Sequence, residues 1–242
     1  MIKGLYNNAY AMNYLSNKQD IIANNLANAN TVGFKKDSIF ARKLQDLVNE
    51  KDKVPRWDQR SMADQTFTDF TEGSFRLTDN PLDLAINGDG FFEIQTFSGT
   101  AYTRNGNFKI NSDGMLVTNN NQPVMGKNGP IILIGKDIAI GEDGRVFVDG
   151  RYVDKIKVVD FEKPYELAKI GDNLWKEKVP MAVKKDSNAR VLQGYLEDSN
   201  VNTIEEMVNM IESFREFESN QKSIHAQDET LDTLINSVGR LE

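Results

Sequence analysis

Apolar positions change their period twice along this chain, and each change predicts a change of structure. From the N-terminus, Leu5, Ala9, Met12, Leu15, Gln19, Ile22 and Leu26 recur at alternating three- and four-residue steps. That spacing puts them on one stripe of a helix of coiled-coil type. At the other end, Val201, Ile204, Val208, Ile211 and Phe214 start a second stripe that continues through Phe217, Gln221, Ile224, Asp228, Leu231, Ile235 and Val238. No proline and no glycine before Gly239 interrupts it, so it predicts one helix of about forty residues. Thr203 followed by Glu206 has the capping-box spacing, and Glu205 is placed to favour the helix dipole.

Between the helices the period is two, cut at intervals by glycine and aspartate turns. Leu82, Leu84 and Ile86 alternate before Asn87-Gly88-Asp89-Gly90, and Phe92 and Ile94 after it, which predicts a hairpin. Phe108 and Ile110 flank Asn111-Ser112-Asp113-Gly114 with Met115-Leu116-Val117, and Ile138 and Ile140 flank Gly141-Glu142-Asp143-Gly144 with Val146 and Val148. These predict two more hairpins. The fold class is therefore α+β: long terminal helices over 1–34 and 198–242 that pair in coiled-coil fashion, an extended connector over 35–69, and an inserted, mainly antiparallel all-β domain over 70–195.

Neither helix can bury its stripe alone, so each needs the other or a neighbouring subunit. Lys3, Lys18 and Asp20 are the only charges before Phe34. A helix bathed in water normally carries more, so the first helix is expected to meet protein on several sides. Lys35-Lys36 and Arg42-Lys43 follow it as a basic cluster, read as a solvated connector or as a contact for the acid-rich C-terminal helix.

Composition removes several functions. The formal net charge is −7 and no basic stripe interleaves with aromatics, which argues against nucleic acid. There is no cysteine, and His225 is the single histidine, so thiolate and zinc sites are not expected and no cofactor is called for. No run approaches the ~20 apolar residues of a membrane span, and the first thirty residues lack the pattern of a cleaved secretory signal. Gly88-Asp89-Gly90 lacks the remaining residues of a phosphate loop, and Asn111, Asp113-Gly114 and Asp143-Gly144 lack the other ligands of a calcium loop. Catalytic and metal-binding residues are expected to be none.

The segment Ala23-Asn24-Asn25-Leu26-Ala27-Asn28-Ala29-Asn30-Thr31-Val32-Gly33-Phe34-Lys35 closely resembles the signature of flagellar basal-body rod and hook proteins. Leu84 to Phe92, Tyr102 to Phe108, Gly194 to Asn202 and Glu205 to Ile211 resemble further segments of that family, in the family's order. Ser213-Phe214-Arg215-Glu216-Phe217 departs from it, being bulkier than is usual there. The resemblance implies a non-enzymatic subunit, exported unfolded by the flagellar type III apparatus without a cleaved signal and built into a hollow extracytoplasmic shaft in the basal body. It implies as partners further copies of the chain and the other rod and hook axial proteins. The short chain and compact connector resemble the proximal rod type. The expected subunit-interface residues are Leu5, Met12, Leu15, Ile22, Asn25, Leu26, Asn28 and Phe34 near the first helix. On the second they are Ile204, Val208, Ile211, Phe214, Ile224, Leu231 and Ile235. The competing reading is a β-domain that binds or cleaves cell-wall carbohydrate on a helical stalk.

Overall fold

The computed structural model describes residues 2–40, 65–178, 184–187 and 189–238. The chain forms two compact units, one of Met1–Ala29, Lys36–Phe70 and Val201–Glu242, the other of Asn30–Lys35 and Thr71–Asn200.

In the first unit, α1 spans Ile2–Ala27 and α2 spans Thr203–Val238. Contacts from Asn8 to Ser223 and from Asn25 to Glu206 run in opposite order along the two helices, so they lie antiparallel. The N-cap of α2 is one residue earlier than the Thr203–Glu206 spacing suggests: Asn202 Oδ1 accepts from the Ile204 and Glu205 amides at 3.1 and 3.4 Å. Glu206 is not free to complete a capping box because its carboxylate is buried beside Asn25. α1 ends in a tightened turn, with the Ala29 amide donating to Leu26 O. Strands β1 (Asp37–Phe40) and β2 (Gln65–Thr68) pair antiparallel, so both ends of the sequence-predicted connector that can be described are sheet. Arg42 and Lys43 lie outside the described residues.

The second unit is antiparallel β-structure. Its largest sheet has six strands in the order β13 (Leu167–Gly171), β14 (Leu174–Glu177), β6 (Gly99–Thr103), β5 (Phe91–Thr96), β12 (Val158–Phe161) and β15 (Lys184–Asp186). A three-stranded sheet orders β11 (Arg151–Lys155), β10 (Arg145–Val148) and β9 (Ile138–Ile140). Shorter pairs join β3 (Phe75–Leu77) to β17 (Tyr195–Glu197), β4 (Leu84–Asn87) to β16 (Arg190–Gln193), and β7 (Lys109–Ile110) to β8 (Leu116–Val117). Between the sheets lies a core that includes Leu84, Ile86, Phe92, Ile94, Leu116 and Val146. Phe91, Phe161, Tyr102 and Trp175 form an aromatic cluster, with Tyr102 edge-on to Phe161 at 4.8 Å.

Two of the three predicted hairpins form. Ile110 stands opposite Leu116, and Asn111 Oδ1 accepts from the Asp113 and Met115 amides, closing the turn. Val146 stands opposite Ile140 across the Gly141–Gly144 turn. The expected β4–β5 hairpin does not form. β4 pairs with β16 and β5 with β6 and β12. The intervening link is held instead by side chains: Arg104 donates to Ile86 O and Gly88 O, and Glu72 accepts from the Gly88 amide. Leu84, Ala85 and Ile86 are all buried, so β4 has no solvent face to give a hairpin its alternation.

Candidate assembly surface

The packed side of the helical unit is centred on Asn25. Its amide nitrogen donates to Asp37 O at 2.8 Å and its amide oxygen accepts from the Asp37 N–H at 3.0 Å, so the side chain pairs with β1 much as a neighbouring strand would. The same nitrogen lies 3.4 Å from Glu206 Oε2, tying α1, α2 and β1 together. Only a primary amide supplies donors and an acceptor in this arrangement, which gives the signature's second asparagine a physical reason. Asn28 acts locally, donating from its side chain to Asn24 O at 2.9 Å at the end of α1.

Leu15 and Ile22 are buried, and Met12 and Leu26 half-buried, on the face of α1 that carries the sequence-predicted stripe. On α2 the buried and half-buried positions include Glu206, Met210, Ser213, Phe217, Asn220, Ile224, Gln227 and Leu231, again at three- and four-residue steps. Ser213 is fully buried, and its small side chain permits close helix approach. The sequence-predicted α2 stripe therefore divides in two. Phe217, Ile224 and Leu231 lie on the less exposed row, while Ile204, Val208, Ile211 and Phe214 lie on another face with Met207. The cause is three successive three-residue steps, 208 to 211 to 214 to 217, which carry the apolar line around a 3.6-residue helix. The side chains of Leu5 and Ile235 lie outside the described ones.

That second face is open. Ile204 is 74% exposed and Ile211 and Phe214 are each 54% exposed, with Met207 and Val208 about half so. Five large apolar side chains on three successive helical turns make a continuous exposed patch, which marks an interaction site rather than ordinary surface scatter. Its spacing is that of a coiled-coil seam.

The second half of the signature, Asn30–Lys35, belongs to the β-unit. Gly33 adopts φ +66°, and a Cβ there would sit 2.5 Å from the Arg104 backbone carbon, so only glycine fits. The Gly33 amide donates to Glu197 O at 2.7 Å. Phe34 is buried, with Lys169 Nζ 4.7 Å above its ring. Lys35 corrects the expectation of a solvated connector: it is fully buried, 2.5 Å from Glu197 Oε1, and also donates to Thr71 O. Arg104 reaches Glu197 Oε2 at 3.3 Å, so one buried carboxylate serves two buried cations. Burial pushes the Lys35 ammonium below the usual lysine range, against the pull of Glu197. Sequence reasoning did not find this triad. Its one trace was that Lys35, Arg104 and Glu197 each close or sit within a family-like segment.

Among the described residues no group of three or more His, Cys, Asp or Glu could hold a metal ion. No helix among them is long and apolar enough to cross a membrane. Asn111 and Asp143, the residues most like calcium ligands, are engaged in their own turns.

Three family models match the chain: flagella basal body rod protein over residues 5–35, flagellar hook protein FlgE/F/G D1 domain over 85–148, and flagellar basal body rod FlgEFG protein C-terminal over 192–237. The flagellar basal-body rod protein FlgG of Bacillus subtilis is 34% identical, covering 98% of this chain and 99% of its own length. FlgF of Caulobacter vibrioides is also 34% identical, with 94% of each chain covered. FlgG of Borreliella burgdorferi is 34% identical over 96% of this chain and 97% of its own. With near-complete relatives at this identity and family models seated on both helices and on the β-unit, the chain belongs to the flagellar basal-body rod protein family.

Proposed function

We propose that this chain is a non-enzymatic structural subunit of the flagellar basal-body rod that polymerises through its terminal helices into the hollow shaft linking motor to hook. The observation that carries the polymerisation is the exposed row of Ile204, Met207, Val208, Ile211 and Phe214 on a helix already packed on its other side. Burying each such side chain stabilises a contact by up to about 1.5–3 kcal/mol, and none of that gain is available to the isolated subunit. The α1–α2 pair then acts as a two-helix coiled coil whose outer surfaces meet neighbouring copies. The other rod and hook axial proteins bind the first and last copies through equivalent faces. On the same reading the subunit leaves the cell unfolded by the flagellar type III route without a cleaved signal, as the family resemblance of its N-terminal signature implies.

The test is Ile211→Asp and, separately, Ile224→Asp in the source bacterium. Ile211→Asp adds a charge to the open row, so the purified variant keeps wild-type circular dichroism and urea midpoint while disappearing from isolated basal bodies. Ile224→Asp strikes the less exposed row and both destabilises the helical unit and abolishes incorporation, because an unpaired charge in a packed seam costs several kcal/mol. Normal basal bodies containing Ile211→Asp at wild-type occupancy would refute assembly through this face.

A further inference from the structure

The open row on α2 has a definite charge setting. Glu205, Glu212 and Glu216 are exposed one after another along one edge of it, with spacings of seven and four residues. Arg215 continues the row itself, one turn beyond Ile211. Two antiparallel copies meeting row to row would bring two such acidic edges together, and two parallel copies would set Arg215 against Arg215; like charges so placed oppose association. The row therefore selects against its own twin and needs a different surface on the next copy.

α1 carries that surface. On its outward side, Ala27, Ala23, Asp20 and Ser16 are all exposed and, read from the C-terminal end, are spaced four, three and four residues apart. Ile204, Val208, Ile211 and Arg215 have the same four, three, four spacing read forwards. The α1 row has small side chains, and Asp20 is its single charge. Identical copies in an open polymer point the same way. Because α1 and α2 are antiparallel within one copy, α2 of one copy meets α1 of the next antiparallel as well. In that order Ala27 and Ala23 receive Ile204 and Val208, Asp20 stands at the position of Ile211, and Arg215, opposite Ser16, comes within one turn of the Asp20 carboxylate.

Resting on the assembly reading above, we infer that the contact between copies is heterologous: the Ile204–Ile211 row of one α2 docks on the Ser16–Ala27 row of the next copy's α1. A heterologous contact of this kind propagates without closing, as a shaft requires, whereas a row-to-row contact would stop at a dimer.

The chain has no cysteine, so introduced thiols report unambiguously. Ala23→Cys and Val208→Cys would be placed in separate copies of the gene and expressed together, the cells oxidised, and basal bodies resolved without reductant. The expected result is a disulfide dimer only when both variants are present, at least tenfold above either variant alone. A Val208→Cys dimer formed without Ala23→Cys, or incorporated subunits giving no dimer in any combination, overturns the heterologous pairing while leaving assembly through the helices intact. Absence of the unmodified chain from basal bodies would overturn the assembly reading itself. As a second measurement, Arg215→Glu is expected to lower incorporation severalfold and Asp20→Lys in the same chain to restore it. Failure of that restoration counts against the register.

Discussion

At the scale of single residues, the least expected group is the buried triad of Lys35, Arg104 and Glu197. Its members are not equivalent. Removing Lys35 leaves Glu197 still paired with Arg104, whereas removing the Glu197 charge leaves the buried Lys35 without its carboxylate partner and Arg104 with only the partly exposed Glu72 at 3.9 Å. Glu197→Gln is therefore expected to cost about 3–5 kcal/mol and Lys35→Met clearly less, because uncompensated buried charge dominates such losses. Urea unfolding at neutral pH orders the two, and an equal or reversed ranking would mean that the carboxylate is not the hub. Tyr102 offers a test by pH. Its hydroxyl donates to Glu177 at 2.7 Å, and burial, reinforced by that carboxylate, pushes the phenol far above its usual range. The unfolded chain loses this proton near pH 10 and the folded chain does not, so the native state holds more protons and stability falls as pH rises through ~10. Tyr102→Phe lacks that loss. The variant is expected to be less stable than wild type by about 1 kcal/mol at pH 7 and to close the gap by pH ~10.5. A gap that stays constant would show that Tyr102 ionises normally. Lys35, whose pKa burial lowers, contributes the opposite slope, but it is present in both proteins and cancels in the comparison.

At the scale of elements, what could be read from sequence was whatever a period or a turn residue states locally. Both helices, the Asn111–Gly114 hairpin and the Gly141–Gly144 hairpin are of this kind. The β4–β5 link was misread because its decisive contacts come from Arg104 and Glu72, distant in sequence, and no local pattern records them. The α2 stripe was read as one line because each three-residue step is individually helical, and only their succession turns the face. Resemblance picked out Asn25 and Lys35 as parts of a motif but not why an amide or an ammonium is needed there. The Asn25 account is open to experiment. Asn25→Asp is nearly isosteric but replaces the donor to Asp37 O by an acceptor and sets a carboxylate against Glu206, whose Oε2 stands 3.4 Å from the present nitrogen. The change should cost about 3 kcal/mol or more in the helical unit, since a buried unmatched acceptor and a like-charge contact add. Limited proteolysis resolves it, with cleavage expected to rise within α1 and α2 while the β-unit stays resistant. Uniform resistance of both units would dismiss the amide as the joint between helix and strand.

At the scale of the whole molecule, the two units differ in what stabilises them. The β-unit has a continuous apolar core between its sheets, an aromatic cluster and a buried ion triad. Among the described residues, the helical unit has a partly buried seam between its helices and the Asn25 joint to β1, and its second helix carries five large apolar side chains in the open. A two-helix pair with little buried area has a low free energy of local opening, and burying the exposed row in neighbouring copies raises it. The helices are therefore expected to exchange their amide hydrogens readily in the free subunit and slowly in the polymer, with the β-unit protected in both. Hydrogen exchange read by mass spectrometry on free and assembled protein measures this directly, and protection of α1 should rise by at least a hundredfold on assembly. Such a difference lets the subunit remain soluble before assembly, because the surface that binds neighbours is not held rigidly in register until a neighbour is there. If α1 were equally protected in both states, the helical pair would be a finished structure before assembly, and polymerisation would have to be rigid docking of preformed surfaces instead.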